Sequence, residues 1–243
     1  MKIVALSDLH GYLPKVKDLP EADVMCICGD IVPLEYQHSM AKSVAWFCLE
    51  FVPWADSLPY KKVIFIGGNH DFFLYNISFS KNLNECFVDA AHVMSTLLPG
   101  ANKSKHKKLV YLFDNSYTFN GVKFYGTPWI ASLTNWAFYK NEEDLEKAYN
   151  NIPKKVDVLI THMPSATAYT GDVLQHGCFN TMTSYGSFQL SNAILDRKIK
   201  WAICGHVHSG NHRHENVNGT NFVNVSIKDE DYKVSYEPFV FEV

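Results

Sequence analysis

The chain has 243 residues, of which 47% are hydrophobic and 19% are charged, and its formal net charge is −3. A chain of this length and apolar content can bury a core of its own, which excludes general disorder. The slightly negative charge disfavours an obligate nucleic-acid partner held on a broad basic surface, although nucleic acid is not excluded as a substrate. Because no repeat, low-complexity tract or linker interrupts the sequence, we expect one domain over residues 1–243.

The first apolar run, Ile3–Leu6, is too short for a secretory signal. No stretch approaches the roughly 20 apolar residues that span a bilayer. None of the six cysteines forms a C-x-x-C pair, and most lie in apolar runs, as is typical of buried, reduced thiols. We therefore expect a cytoplasmic protein with no membrane contact. The sequence leaves the oligomeric state open.

Five short apolar runs, rich in Val and Ile, predict strands that are covered on both faces. These runs are Ile3–Leu6, Val24–Cys28, Val63–Ile66, Val156–Ile160 and Trp201–Cys204. Helical spacing of apolar residues predicts helices over Met40–Phe51 and Leu83–Leu97, and Asn141 is expected to cap an acidic helix start. The alternation of the two kinds of segment predicts an α/β fold.

Other runs look like antiparallel strands joined by tight turns. Asn-Gly pairs at 120–121 and 218–219 are typical of two-residue hairpin turns. The predicted strands are Leu109–Phe113, Tyr117–Phe119, Val122–Tyr125, Phe222–Val225 and a final one at Phe239–Phe241.

Each of the five buried strands is followed directly by a small polar cluster. The clusters are Asp8-Leu9-His10, Gly29-Asp30, Gly68-Asn69-His70-Asp71, Thr161-His162 and Gly205-His206-Val207-His208. All of them therefore lie at the carboxyl ends of predicted strands, which is the edge where open α/β sheets bind ligands.

The clusters offer oxygen and imidazole donors without a cysteine, a set that suits Mn, Fe or Zn. Residues i and i+2 of an extended chain point the same way, so Asp8 and His10 can reach one ion together. The candidate ligands are Asp8, His10, Asp30, Asn69, His162, His206 and His208. Seven ligands are too many for one small cation, which favours two ions that share a carboxylate, with Asp30 as the bridge.

In this order, the clusters resemble the signature of the calcineurin-like metallophosphoesterase superfamily: D-x-H, G-D, G-N-H-[DE], a later His and G-H-x-H. The segments Tyr125–Trp129, Asn135–Phe138 and Val156–His162 are also similar to the branch related to brain protein 239, whose members act on cyclic nucleotides and other phosphodiesters. The resemblance implies a layered fold of mixed β-sheets packed together and flanked by helices.

The same resemblance implies a role for each candidate residue. The first of two divalent or trivalent ions would be held by Asp8, His10, Asp30 and His208, and the second by Asp30, Asn69, His162 and His206. His70 would be the acid that helps the leaving group depart, and Asp71 would orient it. The chain differs from many relatives in having Ile31-Val32-Pro33 after Gly-Asp, where another acidic or polar residue is common.

Two divalent ions about 3.5–4 Å apart can bind both the attacking and the leaving oxygen, and a bridging water that loses a proton attacks phosphorus. We therefore expect a metal-dependent phosphoesterase, and above all a phosphodiesterase that takes small substrates such as cyclic nucleotides. A nuclease or a phosphomonoesterase with the same centre is the alternative. A non-catalytic metal-bound scaffold is a further one, which the intact His70-Asp71 pair disfavours.

Two further features have open interpretations. Trp129, Trp136 and Phe138 either form a stacking wall for a nucleobase or pack inside the protein. The basic segment Lys103–Lys108 is either a solvated loop or an attractor for an anionic substrate.

Overall fold

The computed structural model of the chain describes residues 1–79, 108–166, 172–174, 182–210 and 212–243. Its strands form a five-stranded sheet, a six-stranded sheet and a two-stranded ribbon. In chain order they are β1 (Lys2–Leu6), β2 (Val24–Ile27), β3 (Lys62–Phe65), β4 (Leu109–Tyr111), β5 (Asn115–Phe119), β6 (Val122–Thr127), β7 (Val158–Thr161), β8 (Asp172–Leu174), β9 (Met182–Ser184), β10 (Trp201–Cys204), β11 (Glu215–Val217), β12 (Thr220–Asn224) and β13 (Phe239–Glu242).

The five-stranded sheet has the order β13-β1-β2-β3-β4. Strands β1 to β4 are parallel, and β13 is antiparallel to β1. The predicted strands of this sheet are confirmed with ends shifted by one or two residues. The expected antiparallel pairing of the run after Leu109 was wrong, because β4 pairs in parallel with β3 through Val63 and Leu109.

The six-stranded sheet has the order β11-β12-β10-β7-β6-β5. Its four inner strands are parallel, whereas β5 and β11 close antiparallel hairpins at the two edges. Both predicted Asn-Gly turns are confirmed. Asn120 and Gly121 have φ of 47° and 83°, and Asn218 and Gly219 have φ of 52° and 86°, so both central residues are left-handed as this turn requires.

The two sheets pack face to face, and side chains alternate between the inner and outer layers along each strand. In β1, Ile3 and Ala5 face the other sheet and contribute to the cluster that contains Ile160 and Ile203. The intervening residue Val4 belongs to the cluster that the helices cover. Full burial of one such aliphatic side chain is worth about 1.5–3 kcal/mol. This four-layer arrangement confirms the expected fold class.

Helices cover the outer faces of both sheets. They are α1 (Met40–Trp46), a π-helical segment (Phe47–Phe51), α2 (Val52–Ser57), α3 (Phe72–Phe79), α4 (Glu142–Asn150) and α5 (Phe188–Arg197), with a short 3-10 turn at Val16–Asp18. The predicted helix from Met40 is confirmed, although its second half is π-helical. Asn141 caps α4, since its side chain accepts a hydrogen bond from Asp144 N. In the described ranges, no helix is both long and apolar enough to cross a bilayer.

Two expectations fall on the segment 80–107, which lies outside the described residues: the helix over Leu83–Leu97 and most of the basic segment that ends at Lys108.

Candidate metal centre

All five polar clusters meet where the rims of the two sheets come together. Strands β1, β2 and β3 are parallel neighbours, so the residues that follow them emerge at the same edge. Strands β7 and β10 are parallel neighbours in the other sheet and bring their histidines to the facing edge. The structure therefore brings together all seven predicted ligands, Asp8, His10, Asp30, Asn69, His162, His206 and His208.

The first group of ligand atoms comes from Asp8, His10 and His208, whose atoms lie within 4.8 Å of one another. Nε2 of His208 is 3.4 Å from Oδ1 of Asp8. The other ring nitrogen of His208, Nδ1, lies 3.0 Å from the carbonyl oxygen of Asp229. A carbonyl oxygen can only accept, so Nδ1 carries the proton and Nε2 is free to bind a metal ion.

The second group is centred on Asn69. Its Oδ1 is 2.9 Å from Nε2 of His162 and 2.8 Å from Nδ1 of His206. Nδ1 of His162 lies 2.7 Å from the carbonyl oxygen of Cys28, to which it donates. The strand-end carbonyl thus fixes the tautomer of His162 and points its Nε2 into the site.

Asp30 stands between the two groups. Its Oδ2 is 3.4 Å from Nε2 of His162 and 3.7 Å from Nε2 of His10. Its Oδ1 accepts a hydrogen bond from the backbone N of His70 at 2.8 Å. One carboxylate oxygen therefore faces ligand atoms of both groups, which is the placement expected of a bridging ligand.

The ring nitrogens of His10 are independent support for metal binding by this set of donors. His10 is buried, and among the described residues neither of its ring nitrogens has a hydrogen-bond partner. Leaving a buried polar group without a partner costs about 1–3 kcal/mol, and a metal ion would satisfy one of these nitrogens. Burial lowers the pKa of His10 to about 4, so its imidazole is in the neutral form that binds metals.

The charges of the site are consistent with cation binding. Burial raises the pKa of the Asp30 carboxyl, but the nearby charges of His162 and His70 outweigh it, and the pKa lies well below its usual range. Burial also opposes the charge of His162, yet Asp30 raises the pKa of His162 to about 9. A metal ion that binds His162 must displace this proton.

The backbone of the site is held in a conformation that costs energy. Asp8, His10, Asp30 and His206 have φ of 58°, 41°, 54° and 71°, a left-handed region that non-glycine residues seldom adopt. Such residues cost on the order of 1–3 kcal/mol each and concentrate at functional sites. Gly68 adds a close approach, because a Cβ there would overlap the backbone N and carboxylate of Asp30.

The contacts of Asp71 correct the expectation that it orients the His70 side chain directly. Its carboxylate accepts hydrogen bonds from the backbone N of Ile31 (3.0 Å), Val32 (3.1 Å) and Gly68 (2.9 Å). The side chain at Nδ1 of His70 is instead Gln37, whose Oε1 is 2.5 Å away. Asp71 thus connects the loop after β2 to the loop after β3. The sequence analysis did not identify Gln37, because this residue lies in a turn that carries no motif.

Aromatic rings flank the ligands on two sides. The ring centroid of Trp136 is 4.5 Å from that of His70. The ring of Tyr232 lies edge-on, 5.0 Å from both His10 and His208. Of the three predicted wall residues, Trp136 lies against His70, whereas Trp129 and Phe138 are buried and pack against each other. Tyr232 was also missed, since no spacing links it to the motifs.

Comparison with known proteins places this geometry in a family. The family model for the calcineurin-like phosphoesterases matches residues 1–210, and the chain belongs to this family. Over 248 residues it is 28% identical to human metallophosphoesterase domain-containing protein 1, a match that covers all of this chain and 71% of the relative. A UPF0046 protein of Caenorhabditis elegans is 28% identical over 253 residues, covering all of this chain and 81% of the relative.

Solved structures agree on the fold. The phosphopantetheinyl hydrolase of Mycobacterium tuberculosis superposes with a TM-score of 0.51 at 14% identity, covering 95% of this chain and 90% of that one. Another solved chain reaches a TM-score of 0.59 at 17% identity, covering 95% and 91%. The family and the Asp/His cluster together support a metal-dependent phosphoester hydrolase.

Proposed function

We propose that this protein is a phosphodiesterase that hydrolyses small diesters such as cyclic nucleotides and uses a dinuclear metal centre. The observation that carries the proposal is the convergence of seven ligand-type side chains, with Asp30 between the two groups and an aromatic ring at each end of the cluster. In this proposal Asp8, His10, Asp30 and His208 hold one ion, and Asp30, Asn69, His162 and His206 hold the other. Mn, Fe and Zn all suit this donor set.

When bound, the two ions supply Lewis-acid stabilisation to the attacking and leaving oxygens of an in-line displacement. The chain itself supplies the leaving-group proton. A water molecule loses one proton to solvent and its oxygen bonds to phosphorus. As the bond between phosphorus and the leaving oxygen breaks, Nε2 of the His70 imidazolium gives its proton to the leaving oxygen. An acyclic diester yields a phosphomonoester and an alcohol, whereas a cyclic nucleotide opens to a single nucleoside monophosphate, and no covalent bond to the protein forms.

The position of Trp136 favours a diester that carries a planar organic group. Its ring lies against the ring of His70, so an aromatic side chain borders the proposed acid. Base–aromatic stacking is worth about 1–3 kcal/mol and tolerates every base, because each has a π-face. A nucleoside leaving group, as in a cyclic nucleotide, would use this face.

The test compares substrate classes on purified protein with added Mn²⁺. The substrates are bis-p-nitrophenyl phosphate, 2′,3′-cyclic AMP, 3′,5′-cyclic AMP, AMP and a short oligonucleotide. We expect the small diesters to be hydrolysed fastest, and His70→Ala to lose about 100-fold or more on cyclic nucleotides. Faster turnover of AMP or of the oligonucleotide would overturn the proposal. Bound metal without turnover of any ester would indicate a scaffold.

A further inference from the structure

The imidazole of His70 is held on its side away from the metal ligands. Nδ1 of His70 lies 2.5 Å from Oε1 of Gln37, and Nε2 lies 3.8 Å from Oδ2 of Asp30. An amide oxygen can only accept a hydrogen bond, so the proton between the two side chains belongs to Nδ1 of His70. The nitrogen that faces the site is therefore Nε2.

We propose that Gln37 is a positioning residue that fixes the ring orientation of His70 and holds one proton on Nδ1, so that the second, transferable proton of the charged ring is on Nε2. The inference depends on the proposed role of His70 as the acid. In the forward step the Nε2 proton passes to the leaving oxygen as its bond to phosphorus breaks. The ring is left neutral, with its remaining proton on Nδ1 and still bonded to Gln37.

The turn that carries Gln37 is itself fixed by backbone hydrogen bonds. Tyr36 N donates to the carbonyl oxygen of Pro33 at 2.9 Å, and Ser39 N donates to that of Tyr36 at 2.8 Å. The hydroxyl of Ser43 in α1 donates to the same Tyr36 oxygen at 2.7 Å. Because these bonds constrain both sides of residue 37, its side chain has a defined origin from which to reach His70.

Asp71 couples this turn to the loop of His70. Its carboxylate accepts from Ile31 N and Val32 N at the start of the Gln37 loop, and from Gly68 N at the start of the His70 turn. The loop that carries the acid and the loop that carries its partner are thus tied to one buried carboxylate. The distance between His70 and Gln37 is set by this connection.

A neutral partner has a chemical consequence. A carboxylate at Nδ1 would stabilise the charged imidazolium and weaken it as an acid, whereas an amide oxygen orients the ring without adding a charge. Gln37 therefore orients the imidazole of His70 without placing a negative charge beside it. A substitution that removes the acceptor should harm only reactions that need a proton on the leaving group.

The test varies the leaving group in three variants. Gln37→Met keeps the length of the side chain without the acceptor, and Gln37→Glu keeps an acceptor. Gln189→Met on α5 is the control, because this half-buried glutamine accepts a hydrogen bond from Ser187 Oγ at 3.1 Å and not from a site histidine. The substrates are methyl p-nitrophenyl phosphate, with a strongly acidic leaving group, and methyl phenyl phosphate, whose phenol resembles tyrosine with a pKa of about 10.

We expect Gln37→Met to lose about 10–100-fold in kcat on the phenyl ester and less than about threefold on the p-nitrophenyl ester. Gln37→Glu keeps the acceptor but weakens the acid, so it should recover only part of the rate on the phenyl ester, and Gln189→Met should match the wild type on both. Equal losses on both esters for Gln37→Met, or no loss on either, would overturn the inference.

A second measurement needs neither metal nor turnover. In the metal-free protein, ¹H–¹⁵N spectra of the histidine rings should show His70 as the Nδ1-protonated tautomer, and Gln37→Met should give a mixture of tautomers. An unchanged His70 tautomer in Gln37→Met would contradict the inference.

The variant His70→Ala distinguishes a failure of the proposed acid from a failure of the proposed role of Gln37. If this variant loses rate equally on both esters, His70 is not the leaving-group acid and the proposed mechanism fails. If it shows the leaving-group dependence and Gln37→Met does not, only the role of Gln37 fails.

Discussion

Oδ2 of Asp30 lies 3.4 Å from Nε2 of His162, so a carboxylate that follows β2 of one sheet meets an imidazole that follows β7 of the other. Both residues are buried, and both stand at the carboxyl end of a parallel strand. The packing of the two sheets therefore sets the distance between them. Asp30 also faces His10 at 3.7 Å, which makes it the residue on which both ligand groups depend.

This arrangement predicts that Asp30→Asn, which keeps the size of the side chain but removes its charge, binds less metal than the wild type. We expect metal content to fall from two equivalents to one or fewer, and activity on bis-p-nitrophenyl phosphate to fall at least about 100-fold. Elemental analysis after dialysis measures the first and initial rates the second. Asp196→Asn on the exposed face of α5 is the matched control. Two retained equivalents in Asp30→Asn would argue against a bridging role.

The site could be predicted from sequence wherever its residues directly follow a strong apolar run. The candidate ligands His162 and Asp30 each come within two or three residues of such a run, and the register of the strand fixes where they emerge. Gln37 and Tyr232 reach the site from turns, where neither helical nor strand spacing constrains the direction of a side chain. The parallel pairing of β4 could not be predicted either, because the sequence of a three-residue edge strand does not indicate whether it pairs in parallel or antiparallel.

The contacts of Asp71 lead to a stability prediction. Removal of its carboxylate in Asp71→Ala leaves the buried N–H groups of Ile31, Val32 and Gly68 without their acceptor. At about 1–3 kcal/mol for each unsatisfied group, partly relieved by water, we expect a loss of about 3–5 kcal/mol in the free energy of unfolding. Urea denaturation monitored by circular dichroism measures it. A loss below about 1 kcal/mol would show that these loops do not need the carboxylate.

Asp114 gives a prediction for pH dependence away from the candidate metal ligands. Burial raises the pKa of its carboxyl, although hydrogen bonds from Thr127 Oγ1 and Trp129 Nε1, each 2.7 Å, act in the other direction. The folded state therefore holds this proton more tightly than the unfolded state. The stabilisation that comes from this proton is fully present below 3.8, the pKa of the carboxyl in the unfolded chain. It is lost as the pH rises through the pKa of Asp114 in the folded protein.

Asp114→Asn cannot titrate, and its amide can keep both hydrogen bonds if the Thr127 hydroxyl turns to accept. We expect the stability of the wild type relative to this variant to fall as pH rises from about 3 to about 7, by about 1.4 kcal/mol for each unit by which the pKa is raised. Urea denaturation of both proteins across that range provides the measurement. A difference that stays constant with pH, or grows in favour of the wild type, would contradict the prediction.

Tyr232 gives the last prediction, since its ring borders the first ligand group from a hairpin that follows the family match. Lys228 and Val234 form an antiparallel bridge, and Tyr232 N donates to the carbonyl oxygen of Asp229 at 2.9 Å. That same oxygen accepts from Nδ1 of His208. One turn thus orients a candidate ligand and places an aromatic ring over it, and the ring remains 39% exposed at the mouth of the site.

Because Tyr232 has a φ of 60°, Asn is the substitution that removes the ring and suits the left-handed backbone. Aromatic pairs contribute about 0.5–1.5 kcal/mol beyond their burial, so we expect Tyr232→Asn to raise KM for cyclic nucleotides about tenfold while kcat changes little. Tyr232→Phe keeps the ring and should stay within about threefold of the wild type. If Tyr232→Phe is as impaired as Tyr232→Asn, the hydroxyl rather than the ring contacts the substrate. If KM is unchanged in Tyr232→Asn, the hairpin does not border the substrate, and Trp136 alone would supply the aromatic contact.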